Sequence, residues 1–281
     1  MSASATSELR EVRGPSALGG GRRRALDLLY LIAVNEFRRT YLGTALGYLW
    51  SLARPLMLFG VLLVVFTQAF DLGERVTEYP VLLLFNLVLF GFFQEATIQA
   101  VTSIVSQESV VRKTQFPRLV IPLAVVLTAL FTLGVNLVVV LAFVLAAGVD
   151  PMWSWLGLLP ILALLLVLTT AVATIVAALY PRFRDTGIIW GVMVTALFYA
   201  TPVLYPIDIL PARLRDVVAL NPLAPLFELA RKWVIDPDAP GPVAASNGAL
   251  ALLVPALAFV AVCALAVWVF RREAPRIAEE L

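Results

Sequence analysis

The chain has 281 residues, 61% of them hydrophobic and only 14% charged, and its mean hydropathy is +0.92. That composition leaves too little polar surface for a water-soluble domain and points to a polytopic membrane protein. A formal charge of +2 gives no reason to expect a nucleic-acid partner, and the absence of histidine removes the commonest general base and metal ligand.

Residues 1–24 mix Ser, Gly, Pro and Arg without an apolar core. This is not the build of a cleaved signal peptide, and the segment reads as a disordered, basic cytoplasmic tail ahead of a membrane domain covering 25–281. Over 26–41, Leu26, Leu29, Tyr30, Ala33 and Phe37 recur at helical spacing, while Asp27, Asn35, Glu36, Arg38 and Arg39 fall largely off that face. The pattern predicts an amphipathic helix lying on the membrane surface. It leads through Gly43 and Gly47 into the first apolar block, with Tyr41, Tyr48 and Trp50 as aromatics favoured at a lipid–water boundary.

A helix that crosses the hydrocarbon core needs about 20 mostly apolar residues, because its backbone polar groups find partners only within it. Six stretches qualify: 52–70, 80–104, 119–147, 156–180, 187–205 and 249–270. The third is long enough to tilt or to break at Gly134, and the first and fifth stand near the lower limit. With the N-terminus inside, Arg38, Arg39, Arg112, Lys113, Arg118, Arg182, Arg184, Arg271, Arg272 and Arg276 are cytoplasmic. Only Arg75, Arg213, Arg215, Arg231 and Lys232 remain outside, so both termini are expected in the cytoplasm.

Two connections carry more than a turn needs. Residues 105–118, VSQESVVRKTQFPR, place Glu108 ahead of Arg112 and Lys113 at helical spacing and stop at Phe116-Pro117, the pattern of a short helix on the inner surface. A solvated loop that fixes topology by its charge remains the other reading. The external connection from 206 to 248 is too apolar in its first half to be solvated and too interrupted by Pro211, Pro222 and Pro225 to span. Asn221-Pro222 sets a capping residue before a proline suited to the first helical turn, which predicts a helix over about 222–234. Short helices dipping into the outer leaflet fit this segment. The expected fold is thus all-α integral membrane, with six spans, an N-terminal interface helix and short external re-entrant helices between spans five and six.

No GxxxxGK[ST] phosphate loop, metal-ligand spacing or nucleophile–base arrangement is present, and the single Cys263 lies in an apolar run. The chain shows no catalytic, cofactor or metal site, so any energy for work is supplied by another subunit. Glu95, beside Gln94 and one turn before Gln99, is the one ionisable residue deep in a span. By default such an acid faces a bundle interior or water. Aromatics at helical spacing, Phe85, Phe90, Phe92 and Phe93 in the second span and Phe198, Tyr199 and Tyr205 around the end of the fifth, read as packing or as a ring-lined path along which sugars slide.

The interfacial helix leading into 42–56 (LGTALGYLWSLARPL), the cytoplasmic 110–123 (VVRKTQFPRLVIPL), the six spans and the external 220–231 (LNPLAPLFELAR) together resemble the permease subunits of ABC-2 type exporters. Within these they resemble the branch that exports cell-surface polysaccharides such as O-antigen and teichoic acids. The resemblance implies a homodimer in the bacterial cytoplasmic membrane with two cytoplasmic ATPase subunits, which would hold ATP and Mg. It assigns coupling to Glu108, Arg112, Lys113, Phe116 and Pro117 and to the interface helix with Arg38, Arg39, Tyr41 and Trp50. It assigns channel lining to Phe90, Phe93, Glu95, Phe198 and Tyr199, and an external gate to Tyr205, Asn221, Pro222, Phe227 and Glu228. For Arg38, Arg39, Arg112 and Lys113, contact with the ATPase and contact with substrate phosphates both stay open. The expected function is export of a lipid-linked polysaccharide. The alternatives are an ABC-2 exporter of a drug or lipid, a membrane glycosyl- or phosphotransferase, and a proton-coupled transporter resting on Glu95.

Overall fold

The computed structural model describes residues 21–42, 48–108, 118–245 and 248–274; the terminal tail and residues 109–117, with Arg112, Lys113, Phe116 and Pro117, lie outside the described residues. Within the described residues all regular structure is helical, without a strand. The chain opens with α1 (Gly21–Leu42) and α2 (Tyr48–Gln68), a one-turn α3 (Leu72–Arg75), then α4 (Tyr79–Ser106) and α5 (Val120–Ala146). A 3-10 turn, Trp153–Gly157, feeds α6 (Leu158–Leu179), and α7 (Thr186–Ala200) follows. The connection to the last helix holds a 3-10 turn Ile207–Ile209, α8 (Ala212–Ala219), α9 (Ala224–Ala230), a π turn Arg231–Ile235 and the short α10 (Pro242–Ala245). The 3-10 turn Ala249–Leu252 leads into α11 (Leu253–Glu273).

Among the described residues, four helical units are long and apolar enough to cross a membrane: α4, α5, α6 with the turn before it, and α11 with the turn before it. The apolar parts of α2 and α7 are shorter. The expected span at 187–205 stops at Ala200, where Thr201 turns extended at φ −102° and ψ 144°. Thr201 precedes Pro202, whose ring disfavours helical backbone in the residue before it. The 15 residues of α7 rise about 22 Å, short of a hydrocarbon core of about 30 Å. The third predicted stretch does not break: α5 runs through Gly134 as one helix.

The fold is built around α4. From Val81 to Phe90 every residue is buried, because α2, α5, α6 and α7 surround this half of the helix. Small residues let the bundle close: Thr169, Ala173 and Ala177 lie on one face of α6 with no exposed surface. Such residues bring backbones together where hydrophobicity alone does not favour association over lipid contact. α11 leans on α6 but exposes Leu257, Val260 and Trp268.

α1 packs on α5. Ala33 is fully buried, Phe37 meets Phe131 edge-on at 5.7 Å between centroids, and the Thr128 hydroxyl approaches the Ala33 carbonyl at 3.3 Å. The apolar face expected for this helix divides in two: Ala33 and Phe37 contact protein, whereas Leu26 and Tyr30 stay exposed. That division suits a helix gripped on one side by the bundle and facing lipid on another.

Candidate functional site

Three regions hold the residues singled out from the sequence. The first is the connection between α7 and α11. After α7 the chain from Thr201 to Leu204 is buried, which would strand its backbone polar groups unless side chains reach them. α4 supplies the donors. The Tyr79 hydroxyl donates to the Leu204 carbonyl at 3.0 Å, and the Asn86 amide donates to the carbonyls of Pro202 and Val203 at 3.1 and 3.3 Å. Asn221 ties the other arm: its amide donates to Thr201 Oγ1 at 2.8 Å and its carbonyl oxygen accepts from the Leu223 N–H at 3.0 Å, ordering the turn through Pro222 into α9. The expected helix over 222–234 is therefore present as α9 followed by a π turn.

At the centre of this hairpin lies Arg231, 5% exposed and ringed by acids. Its Nη1 donates to Asp208 Oδ1 at 2.7 Å and stands 3.9 Å from Glu228 Oε2, while Nη2 stands 3.9 Å from Asp236 Oδ2. Glu228 is 3% exposed and its Oε1 accepts the Ile207 N–H at 2.8 Å. Burial pushes its carboxyl up to about 7 against the opposing pull of that N–H and of Arg231, with Asp208 adding to the rise. Its Oε2 is buried and makes no hydrogen bond, Arg231 Nη1 standing beyond hydrogen-bond reach at 3.9 Å. The cluster joins four pieces of chain, the 3-10 turn, α9, the π turn and the loop after it, so it holds the hairpin in one shape. The Ser154 hydroxyl bonds the Trp233 carbonyl at 2.7 Å and fastens the π turn to the start of α6. Gly157 lies so close under the Trp233 ring that no side chain fits there.

The second region is an aromatic seam. Phe90 meets Phe93 at 5.8 Å and Phe198 at 5.3 Å, Phe93 meets Trp190 at 6.3 Å, and Phe198 meets Tyr199 at 5.2 Å. Phe90 and Phe93 are buried between α4 and α7, whereas Tyr199 is 62% exposed on the outer side of α7. The seam passes from the interior of the bundle to its surface at Phe198. Tyr205, half-buried, donates to the Tyr199 carbonyl at 2.7 Å, and the buried Phe227 lies in the hairpin. Glu95 is half-buried lower on α4 and accepts a hydrogen bond from Gln99 at 3.0 Å.

The third region is the opposite end of the bundle. A cavity of about 180 Å³ opens between α1, α4 and α5, with Glu36, Gln99, Ser103, Ser106, Gln107 and Thr128 in its wall. Glu108 is half-buried just beyond α4. Arg38 is exposed on α1; Arg39 and Tyr41 belong to the same helix and Trp50 to the first turn of α2, their side chains lying outside the described set. Tyr205, Asn221, Phe227 and Glu228 thus lie in the connection between α7 and α11, Glu108 lies just beyond the far end of α4 with Glu95 partway along that helix, and Arg38 follows Phe37 beside the middle of α5.

Sequence reasoning passed over Tyr79, Asn86, Asp208, Arg231 and Asp236. A usable signal existed for Arg231: it follows Glu228 by three residues inside a segment too apolar to be solvated, so the two charges had to answer each other.

Comparison with known sequences bears on the whole of this arrangement. The chain is 29% identical over 202 residues to the O-antigen export system permease protein RfbA of Klebsiella pneumoniae, covering 72% of this chain and 77% of that one. It is 29% identical over 203 residues to RfbA of Myxococcus xanthus, covering 71% and 77%. It is 22% identical over 203 residues to the polysialic acid transport protein KpsM of Escherichia coli, covering 72% and 79%. The sequence model of the ABC-2 type transporter matches residues 27–234, from α1 through α4 and the seam to the π turn of the hairpin after α7. The chain belongs to the ABC-2 type transporter family.

Proposed function

We propose that this chain is the permease subunit of an ATP-driven exporter that moves a lipid-linked cell-surface polysaccharide across the bacterial cytoplasmic membrane. The observation that carries the reading is the similarity, over more than two thirds of the chain, to permeases named for O-antigen export. Six membrane crossings with both termini cytoplasmic follow from counting α2 and α7 as short spans beside the four longer ones and from the placement of arginine. Two copies of the chain enclose the path, with Phe198 and Tyr199 supplying rings where α7 meets its surface. An aromatic face stacks on a sugar ring without fixing it by directional bonds, so a polymer advances in small steps.

In this reading α1 and the segment with Glu108, Arg112, Lys113, Phe116 and Pro117 receive the movement of two partner ATPases, which hold ATP and Mg. The external hairpin, with Tyr205, Asn221, Pro222, Phe227 and Glu228, closes the outer end of the path between substrates. Purification of the chain in mild detergent tests this. An ATP-binding subunit is expected to accompany it, and Arg112→Glu/Lys113→Glu is expected to release that subunit while the permease stays monodisperse. Reconstituted complex should export lipid-linked polysaccharide only with ATP. Transport by the chain alone, without nucleotide, would refute the reading.

A further inference from the structure

At the end of the bundle opposite the hairpin, the turn between α6 and α7 meets the last turn of α11. The contact is one buried carboxylate shared by two arginines: Glu273 Oε2 stands 3.6 Å from Arg182 Nη1 and its Oε1 stands 3.8 Å from Arg272 Nε. Around this knot three guanidinium groups lie over aromatic rings, Arg182 over Phe183 at 5.1 Å, Arg184 over Tyr180 at 5.1 Å and Arg272 over Trp268 at 5.2 Å. Arg182, Arg184, Arg271 and Arg272 are all exposed. Among the described residues no ion pair reaches Arg184 or Arg271, and with Asp185 and Glu273 counted the collar keeps an excess of positive charge.

We infer that this collar is a binding site for the phosphate headgroup of an anionic phospholipid. A guanidinium stacked on a ring is held in place and dry on one face, and its free N–H edge matches the paired oxygens of a phosphate. The surroundings select a lipid over a free anion. Phe183 and Trp268 are more than half exposed, and from Trp268 an exposed apolar stripe climbs α11 through Ala264, Val260 and Leu257. That stripe gives an acyl chain a bed directly beneath the headgroup. Basic pockets between spanning helices on the cytoplasmic side take anionic headgroups by the same physics. The site owes nothing to the transported substrate, so it stands apart from the export reading.

The test measures lipid retained by the purified chain, with native mass spectrometry after equilibration in detergent with equal phosphatidylglycerol and phosphatidylcholine. Wild-type protein is expected to keep phosphatidylglycerol preferentially and to lose the preference as NaCl rises. Arg184→Gln/Arg271→Gln spares the Glu273 knot, and it should weaken phosphatidylglycerol retention about thirtyfold, about fivefold per charge. Arg184→Lys/Arg271→Lys should recover part of the loss. Equal retention of the two lipids by the wild type, or unchanged retention by the Gln variant, would overturn the inference. Displacement of the lipid by millimolar inorganic phosphate would also overturn it, since the site would then read the bare anion. So would a Gln variant that sheds a co-purifying ATPase while its lipid is unchanged, which would make the collar a protein contact.

Discussion

Glu228 makes the hairpin between α7 and α11 sensitive to pH, and the direction follows from its surroundings. In the packed hairpin the carboxyl titrates at about 7, against an ordinary value of 4.5 when solvated. The packed form therefore holds the proton more tightly than an opened one. Packing is strongest below pH 4.5, weakens as pH climbs from 4.5 to about 7, and is weakest above that. The full difference is about 3 kcal/mol, or about 300-fold in the opening equilibrium. Because the side chain is 3% exposed, solvent screening does not reduce this much. Glu228→Gln keeps the shape and the acceptor for the Ile207 N–H but cannot ionise. Hydrogen exchange of the Ile207 amide, compared between variant and wild type at each pH, isolates the effect from intrinsic exchange rates. The variant should be protected up to about 300-fold more at pH 8, and the ratio should approach one near pH 4.5. A ratio independent of pH, or a wild type better protected at pH 8, would refute the reasoning.

Three further outcomes follow from the same contacts. Arg231→Met leaves Asp208, Glu228 and Asp236 facing one another without their shared cation; it should cost about 3–5 kcal/mol, read as a lowered thermal midpoint and as new proteolysis between α7 and α11. Gly157→Ala drives a methyl group into the Trp233 ring and should destabilise by about 1–3 kcal/mol; adding Trp233→Leu should recover stability in the same melting assay. Glu95→Gln should leave ATP-driven transport in proteoliposomes unchanged, because its visible role is to accept a hydrogen bond from Gln99, whereas a proton-coupled carrier would stop.

Much of the architecture was readable along the chain because it depends on local properties. The four longer units follow from unbroken apolar length, and the helix α1 from its periodicity, since residue spacing alone decides which side chains share a face. The turn at Asn221 was readable because its side-chain oxygen needs only the N–H two residues on. The early end of α7 was written in Thr201-Pro202 and was passed over because the apolar run continues beyond it. The outward path of the aromatics was not readable: Phe90 and Phe198 each fit a packing role or a lining role until α4 and α7 are set side by side.

Sequence by itself determined that this chain lives in a membrane, which stretches are apolar enough for the hydrocarbon core, and where arginine gathers. Tertiary structure alone decided which helix is central. α4 is the least apolar of the four longer units yet 78% of its most apolar window is buried, while α11, the most apolar, is buried over 11%. Lipid tails are as apolar as a protein interior, so hydropathy cannot tell a helix enclosed by protein from one facing lipid. Only packing makes that distinction, and only packing brings Asp208, Glu228 and Asp236, which stand far apart along the chain, around the buried Arg231.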